Sequence, residues 1–295
     1  MSELLSLSGW EVIGVHRPKI NPNNYSLTLP KYKRYEMDVR SPELLSLVLD
    51  SKPDVVIYLA GITSISESLS DPVETFEVNT ISYLNLIRFM EKENLRFHLI
   101  YASSVEIFKP ARKINELSEL SSDNPYGISK IASTYLSRAY RSRGLRISNA
   151  ILSNHESILR NSKFVTGKLA KGVADIVHGK IQKISIGDLS VNKNWSSAKD
   201  IVKGIKLLAE SNLADDFIFA QDKNISLKSL VEFSFNHVGL KNWEDYIEIS
   251  DDLKRQKFIE STFSNDKAKK VLGWEPRISS EIWMGEMIDF HLFKG

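Results

Sequence analysis

Short apolar runs alternate with longer helical patterns through the first half of the chain, and this alternation limits the possible folds most strongly. Five runs have the character of buried strands: EVIGVHR (11–17), RYEMDV (34–39), DVVIYLAG (54–61), FHLIYASS (97–104) and RISNAILSN (146–154). Helical patterns separate them over about 41–51, 71–93 and 125–143. Such alternation is typical of right-handed βαβ units and a parallel sheet. The sequence therefore predicts an α/β protein with a Rossmann-type, doubly wound parallel sheet.

The second half has a less regular rhythm. It contains helical patterns over about 164–178, 197–211 and 226–238, strand-like stretches at 183–188 and 217–220, and a short helix that ends at Gly273. We expect a smaller, mixed C-terminal domain with a cleft between it and the sheet. The predicted boundaries are 1–153 plus about 190–212 for the first domain, and about 154–189 and 213–295 for the second.

Composition excludes several classes of function. The 295 residues are 42% hydrophobic and 26% charged, an ordinary globular balance, and the net charge of +2 indicates no nucleic-acid or membrane partner. Without cysteine there are no disulfides, thiolate metal sites or cysteine nucleophiles. No secretory signal and no run of about 18 apolar residues is visible, so we expect a cytoplasmic protein.

The opening MSELLSLSGWEVIGVHR reads as the end of a helix, Met1 to Ser8, followed by Gly9 as its C-cap and then by a strand. A Rossmann unit needs a strand and a glycine-rich turn before that helix, because the helix N-terminus holds the pyrophosphate. The printed sequence carries neither. We therefore expect a sheet that lacks this first strand, and either a true start upstream of Met1 or a catalytically silent chain.

The segment NPYGISK (124–130) carries the most informative chemistry. Asn124 suits an N-cap and Pro125 the first helical position, so Tyr126 and Lys130 fall one turn apart on one helix face. An ammonium group beside a phenol lowers the pKa of the phenol, and the tyrosinate then accepts a proton from an alcohol. The pattern predicts a tyrosine base, although a Tyr-x-x-x-Lys match on a surface helix is the plain alternative.

A second group of polar residues lies in YASSVEIF (101–108), at the end of a predicted strand. Ligands bind at the carboxyl ends of the strands in open α/β sheets. Ser104 is placed there to hydrogen-bond a substrate hydroxyl, and Glu106 to act as a base at a neighbouring carbon. A capping hydroxyl and a solvated loop carboxylate are the corresponding structural alternatives.

These segments resemble a known family. YASS, YGISK and DVVIYLAG together are similar to the extended short-chain dehydrogenase/reductase family. Three longer segments resemble its GDP-mannose 4,6-dehydratase branch: ILSNHESILRNSKFVTGKLAKGVADI (151–176), IGDLSVNKNWSSAKDIV (186–202) and KAKKVLGWEP (267–276). The NHES and FVT motifs are the most discriminating part.

The resemblance implies a catalytic set and a reaction. Ser104 takes the place of the family's catalytic threonine, Glu106 that of its glutamate, and Tyr126 and Lys130 that of its tyrosine/lysine pair. In that chemistry NADP⁺ removes a hydride from C4 of GDP-mannose. The glutamate then takes the C5 proton, water leaves from C6, and the hydride returns to C6 to give GDP-4-keto-6-deoxymannose.

The resemblance also implies the cofactor and its contacts. Arg17 follows the second strand of the family fold and suits a 2′-phosphate, which favours NADP over NAD. The complete set of implied cofactor-binding residues is Arg17, Asp38, Val39, Leu59, Ala60, Gly61, Ile62, Thr63, Lys130, His155 and Arg160. No metal site is expected, since no second histidine lies at ligand spacing from His155.

The implied substrate-binding residues are Asn154, Val165, Lys168, Lys193 and Arg255, with a nucleotide sugar as the ligand. This side departs from the family pattern at three places. Gly167 stands where the family has the arginine of FVT-R-K, Lys193-Asn194 where it has Arg-Asp, and Asp188 where it has asparagine. Lysine supplies charge but lacks the bidentate fork that arginine offers a diphosphate.

Two alternatives to the dehydratase hypothesis stay open. A sugar-nucleotide reductase or epimerase of the same family also fits the SSVE segment, and a silent relative would bind a ligand or a partner without turnover. The resemblance further implies a homodimer or homotetramer built on a four-helix bundle from the helices at 71–93 and 125–143. Leu84, Ile87 and Leu136 are the apolar candidates for that interface, although burial within the monomer explains them equally well.

Overall fold

The structure, a computed structural model, describes residues 1–17, 32–250 and 260–294. Its first part alternates helices and strands as the sequence indicates. In chain order these are α1 (Ser2–Leu7), β1 (Ile13–His16), β2 (Lys33–Glu36), α2 (Pro42–Ser51), β3 (Val55–Tyr58), α3 (Ile65–Ser70), α4 (Pro72–Phe76), α5 (Ser82–Lys92), β4 (His98–Ser104), β5 (Lys113–Ile114), α6 (Pro125–Arg141) and β6 (Ile147–Leu152).

The later part contains shorter strands between four longer helices and one short helix. Its elements are β7 (Asn154–Glu156), α7 (Val165–Val177), β8 (Ile184–Ile186), β9 (Asn192–Lys193), β10 (Trp195–Ser197), α8 (Ala198–Glu210), β11 (Asp216–Phe219), β12 (Ile225–Ser226), α9 (Leu227–His237), β13 (Ile247–Ile249), β14 (Thr262–Phe263), α10 (Asp266–Leu272) and α11 (Ser280–Lys294). Gly273 ends α10 in the left-handed conformation (φ 65°), as expected for a glycine after a helix.

A four-stranded parallel sheet forms the centre, in the order β11-β6-β4-β3. In its register Val55 lies opposite His98, Leu99 opposite Ile147, and Asn149 opposite Asp216. All four strands run in the same direction, so their carboxyl ends meet at one edge. This confirms the expected parallel α/β architecture.

The first two strands form a separate parallel pair. β1 and β2 pair from Ile13 opposite Lys33 to His16 opposite Glu36, and no hydrogen-bonded ladder among the described residues joins this pair to β3. Helix α1 comes before β1, and Gly9 follows that helix with φ 83°. The described chain thus has the helix, and not the strand and glycine-rich turn of a complete Rossmann unit, ahead of β1.

Helices cover both faces of the central sheet, because alternate strand residues point to opposite sides. Tyr58 and Tyr101 pack against α2 and α5 in one buried cluster. Ile100 and Ala150 on the other face pack against α8 and Trp274. This is the doubly wound arrangement that the apolar runs predict.

A second core lies in the C-terminal part, around α7, α9 and α11. It contains Leu169 and Val173 of α7, Phe235 of α9, and Trp283 and Met287 of α11. Helix α11 was not predicted from the sequence. Across the described ranges, no helix combines the length and the apolar character that crossing a membrane requires.

The predicted helix over 71–93 consists of three parts. A π-helical turn, Glu77–Ile81, separates α4 from α5. Single π turns inside α-helices are often found at functional sites. Here the turn carries Asn79, which is completely buried and faces the loop after β3.

Candidate active site

Ser104 and Glu106 lie together at the carboxyl end of β4. Ser104 is the last residue of the strand, and the three-residue 3₁₀ turn Val105–Ile107 follows directly. The Ser104 hydroxyl caps this turn by accepting a hydrogen bond from the Glu106 backbone N–H at 3.2 Å. The cap therefore fixes the backbone of Glu106 next to Ser104.

The start of α6 brings Tyr126 to the same place. Asn124 caps the helix by accepting from the Gly127 N–H at 3.0 Å, and Pro125 occupies the first turn. A Cβ on Gly127 would collide with Ser122 and lie 3.1 Å from the Glu106 carbonyl oxygen. Only glycine lets the helix approach the Glu106 turn this closely.

Tyr126 is buried, and burial raises the pKa of its phenol to about 12. A hydrogen bond with Ser104 acts in the opposite direction, the negative charge of Glu106 raises the pKa further, and the positive charge of Arg160 lowers it. Ser104, Glu106 and Arg160 are thus the groups whose hydrogen bond or charge acts on the phenol.

Lys130 is buried one turn further along α6, and desolvation lowers the pKa of its amine to about 7. Its Nζ donates to the Ala102 carbonyl oxygen at 2.8 Å and lies 4.6 Å from the centroid of the Tyr101 ring. The charge that lowers the pKa of Tyr126 in this structure is that of Arg160, and the expected contribution of an ammonium on Lys130 stays a prediction.

Asn79 organises the loop after β3 and was missed by the sequence analysis. Its Oδ1 accepts from the Ile62 N–H at 2.8 Å, and its Nδ2 donates to the Ile62 carbonyl at 3.0 Å and to Ser129 Oγ at 2.9 Å. A Cβ on Gly61 would lie 3.0 Å from Asn79 Oδ1 and 3.4 Å from Lys130 Nζ. One buried side chain thus ties this loop to α6, and a polar residue in a helical run was the only available signal.

The implied cofactor-binding residues of the first part lie at the carboxyl ends of β1, β2 and β3. Arg17 is exposed directly after β1, and its charge helps to lower the pKa of Asp38. The main cause of the lowered pKa is Arg40, whose guanidinium group donates two hydrogen bonds to the Asp38 carboxylate, at 2.9 and 2.8 Å. Val39 follows β2 and is half-buried. The loop that follows β3 contains Leu59, Ala60, Gly61, Ile62 and Thr63.

The NHES segment forms β7, which extends from the carboxyl end of β6. β7 pairs with β10, which sets Asn154 opposite Trp195 and His155 opposite Ser196. Burial lowers the pKa of His155, whose Nδ1 lies 2.9 Å from the Ser153 carbonyl oxygen. The segment therefore brings Asn154 and His155 to the same edge as Ser104.

Glu156 follows in the same strand and is almost completely buried. Its Oε2 lies 3.0 Å from Arg160 Nε and accepts from the Thr166 hydroxyl at 2.8 Å. Burial raises the pKa of this carboxyl, although Arg160 and Thr166 oppose the change. The ion pair with Glu156 fixes Arg160, whose charge lowers the pKa of Tyr126.

The substrate positions divide into three cases. Val165 is half-buried at the start of α7. Lys168 is exposed one turn later, and no ion pair in the described part of the chain joins it to Glu106. Lys193 forms such a pair: its Nζ lies 3.5 Å from Glu106 Oε1. Arg255 lies outside the described residues.

Gly167 has a structural role at the position where the family pattern has arginine. A Cβ on this residue would lie 2.5 Å from the Asn161 carbonyl oxygen and 2.9 Å from that of Arg160. Because backbone atoms fill the space, no side chain fits here unless the segment before α7 moves. The described residues also contain no group of three or more His, Cys, Asp or Glu side chains placed to hold a metal ion.

Comparison with known proteins agrees with this arrangement. The family model described as GDP-mannose 4,6 dehydratase matches residues 1–287. The chain belongs to the GDP-mannose 4,6-dehydratase family. Among its relatives is GDP-mannose 4,6 dehydratase 1 of Arabidopsis thaliana, which is 29% identical over 309 residues that cover 98% of this chain and 85% of the relative.

Solved structures show the same fold at lower identity. The structure of RMD from Pseudomonas aeruginosa complexed with NADPH superimposes with a TM-score of 0.80 at 19% identity, over 96% of this chain and 98% of that one. DesIV, a dTDP-glucose 4,6-dehydratase from Streptomyces venezuelae with NAD and TYD bound, gives a TM-score of 0.82 at 18% identity, over 98% and 91%. Both solved structures therefore share the fold of this chain.

Proposed function

We propose that this protein is a sugar-nucleotide 4,6-dehydratase that converts GDP-mannose to GDP-4-keto-6-deoxymannose with NADP as a recycled hydride carrier. One observation carries the proposal. In a chain of the GDP-mannose 4,6-dehydratase family, Ser104, Glu106 and Tyr126 converge at the carboxyl end of β4, the edge where open α/β sheets bind their ligands.

The residues present fit a nicotinamide dinucleotide. Gly61 has no side chain to fill the space close to Lys130 Nζ, and Asp38 follows β2 with its carboxylate fixed by Arg40. Lys130 and His155 then lie on the nicotinamide side, and Arg17, Asp38 and Val39 on the adenosine side. When bound, the cofactor would accept a hydride from C4 of the sugar and return it to C6.

Tyr126 and Ser104 would act at the C4 hydroxyl. Removal of a hydride from C4 requires the hydroxyl proton to leave, and the phenolate of Tyr126 accepts it while Ser104 holds the same oxygen. Burial disfavours the phenolate, so its formation depends on the neighbouring donors. The Ser104 hydroxyl and Arg160 are the groups that stabilise this negative charge.

Glu106 would act at C5 and C6. Once C4 is a ketone, the C5 proton is acidic, and the Glu106 carboxylate accepts it. The hydroxyl group on C6 then leaves with a proton from Glu106 as water, which creates the C5–C6 double bond and restores the carboxylate. The same residue thus serves as base and then as acid. Return of the hydride to C6 leaves an enolate, which takes up one proton at C5, and this uptake balances the proton that the C4 hydroxyl gave to Tyr126.

Support for NADP comes from Arg17 and from a related structure. An exposed arginine after β1 offers a fork for a 2′-phosphate. The Pseudomonas aeruginosa RMD was solved with NADPH, whereas DesIV was solved with NAD. We also assign a cofactor-binding role to Arg160, and a substrate-binding role to Asn154, Val165 and Lys168.

The remaining assignments follow from the same family. We propose a cytoplasmic homodimer or homotetramer whose first domain, 1–153 with about 190–212, binds NADP. The second domain, about 154–189 with 213–295, would bind the nucleotide sugar. The separate cores around α5 and around α11 support two domains, but β11 belongs to the central sheet and Ala268 and Trp274 pack against it, so these segments extend the first domain.

The proposal is tested by incubating the purified protein with GDP-mannose and NADP⁺ or NAD⁺, with dTDP-glucose and UDP-glucose as competing substrates. We expect GDP-4-keto-6-deoxymannose by NMR and mass spectrometry, and tighter binding of NADPH than of NADH by fluorescence. Formation of an epimer would favour the epimerase alternative. NADPH binding without any product would favour a silent relative.

A further inference from the structure

Lys193 and Glu106 form an ion pair across the candidate site. Their Nζ and Oε1 atoms lie 3.5 Å apart, and about a third of each side chain is exposed (31% and 32%). The two residues come from different parts of the chain, the turn after β4 and strand β9. The pair therefore joins the catalytic turn to the C-terminal part of the molecule.

Lys193 is held in this position by its backbone. It pairs with Ile225 in the short antiparallel ladder of β9 and β12. The next residue, Asn194, is buried, donates to the Gln221 carbonyl at 3.0 Å and accepts from the Gln221 N–H at 2.9 Å. These anchors limit where the lysine side chain can reach.

The partner of Lys193 is the residue that must be both ionised and well placed. A carboxylate that abstracts a carbon-bound proton needs to be within reach of that proton, and a misplacement of about 1 Å can cost as much as 100-fold. In the described part of the chain, Lys193 is the only cation that forms an ion pair with Glu106.

We propose that Lys193 is a positioning residue for Glu106, which holds the carboxylate as the C5 base instead of serving chiefly as a diphosphate ligand. The inference rests on the proposed dehydratase function. A lysine suits this task, because a single ammonium group donates to one carboxylate without the planar fork that arginine presents to a diphosphate.

The test separates positioning from substrate binding by kinetics. For Lys193→Met we expect kcat with GDP-mannose to fall about tenfold or more, while KM changes by less than about threefold, since the lost interaction acts on the chemical step. Exchange of the C5 proton with D₂O should slow by the same factor. Lys193→Arg should recover most of kcat, and Lys199→Met, which removes an exposed pair with Glu286, should behave like the wild type.

Two results would overturn the proposal. A Lys193→Met protein with unchanged kcat and strongly raised KM would make Lys193 a diphosphate ligand. A Glu106→Gln protein in which Lys193→Met lowers kcat by the same factor as in the wild type would show that the two residues act independently.

The proposed function can fail separately from the pairing. If the wild type dehydrates no sugar nucleotide, the function falls and the base-positioning role falls with it. Whether the ion pair forms in solution is then tested by a double-mutant cycle, in which thermal unfolding is measured for Lys193→Met, Glu106→Gln and the double variant. Additive effects would mean that the pair does not exist in solution.

Discussion

Burial acts on the two ionisable residues of α6 in a way that favours their neutral forms. The pKa of Tyr126 rises to about 12 and that of Lys130 falls to about 7. A charge in a dry site is stable only if neighbours compensate for lost hydration. Ser104 and Arg160 supply that compensation to Tyr126, whereas Lys130 has the Ala102 carbonyl and the Tyr101 ring.

Replacement of Tyr126 by phenylalanine tests its role as the proton acceptor. The ring still fills its buried position, so we expect normal folding and a kcat lower by roughly 10²–10⁴-fold, the usual contribution of a general base. Turnover of GDP-mannose and thermal unfolding are the two measurements. Tyr135→Phe, an exposed tyrosine on the same helix, is the control and should be fully active. Equal activity of the two variants would remove Tyr126 from the mechanism.

The lowered pKa of Lys130 predicts how stability depends on pH without ligands. Between about pH 7 and the ordinary lysine value of 10.5, the unfolded chain binds a proton that the folded protein does not. The free energy of unfolding should therefore rise with pH across this window. The slope is roughly 1.4 kcal/mol for each pH unit while the unfolded chain holds one proton more. Urea unfolding of the wild type and of Lys130→Met at pH 7 to 9 measures the difference in slope.

The Lys130→Met protein should lack this contribution to the slope, because it has no amine to titrate. Lys228→Met, which removes a largely exposed lysine, should keep the slope of the wild type. Parallel slopes in the wild type and Lys130→Met would show that the amine is hydrated and ordinarily charged in the folded protein.

At the scale of elements, the π turn between α4 and α5 explains how the loop after β3 is positioned. A regular helix and a π turn of the same sequence place their side chains differently, so Asn79 reaches Ile62 and Ser129 only because the helix is interrupted. The loop carries Leu59 to Thr63, and Lys130 lies against its glycine. The interruption therefore positions the loop that we propose to bind the cofactor.

Asn79→Ala tests this link between the π turn and the loop. Loss of the amide leaves the N–H and carbonyl of Ile62 without their partner, which should lower the free energy of unfolding by about 2 kcal/mol. We also expect NADPH to bind at least about tenfold more weakly, a change of about 1.4 kcal/mol. Fluorescence titration with NADPH and urea unfolding are the measurements.

Asn149→Ala is the matched control, since Asn149 is an equally buried asparagine that bonds Asp216, the first residue of β11. It should lose stability and keep its affinity for NADPH. If both variants lose affinity in proportion to their stability, the effect of Asn79 is general and not exerted through the loop.

The sequence predicted most elements of the sheet, because buried parallel strands and amphipathic helices have clear periods. It did not predict α11, since the apolar residues of Ser280–Lys294 are spread around the helix and form no single stripe. The π turn also has no signature in residue type. The pairing of Lys193 with Glu106 could not be predicted, because it depends on how the C-terminal part packs over the sheet.

The site itself was partly predictable. Ser104, Glu106 and Tyr126 come together because strand ends and a capped helix start carry recognisable residues. Sequence spacing places Lys130 on the same helix face as Tyr126, but it does not show that the amine donates to Ala102 or that the charge of Arg160 acts on the phenol. The assignments to NADP and GDP-mannose stay predictions.

At the scale of the whole molecule, apolar side chains remain exposed on the two helical segments expected to form an oligomer. Val73, Ile81, Ile128 and Tyr135 are exposed, whereas Ile87, named from the sequence, is completely buried in the core. Leu84 and Leu136 are half-buried, and Leu136 packs against the same core. The exposed set is therefore the better candidate for subunit contacts.

A double substitution, Ile81→Arg with Tyr135→Arg, should convert the expected dimer or tetramer to a smaller species, because charges are not tolerated in an apolar interface. Light scattering coupled to size exclusion gives the mass directly. Leu117→Arg, at a highly exposed leucine in the loop before α6, should leave the mass unchanged. A wild type that is already monomeric would rule out the assembly.

The fate of a deuterium label tests the dehydratase assignment most directly. GDP-mannose labelled with deuterium at C4 is incubated with the protein and cofactor, and the product is analysed by NMR. The account predicts GDP-4-keto-6-deoxymannose with the label at C6, since the hydride removed from C4 returns to C6 of the same sugar. A label that remains at C4, or a product that keeps its C6 hydroxyl, would contradict it.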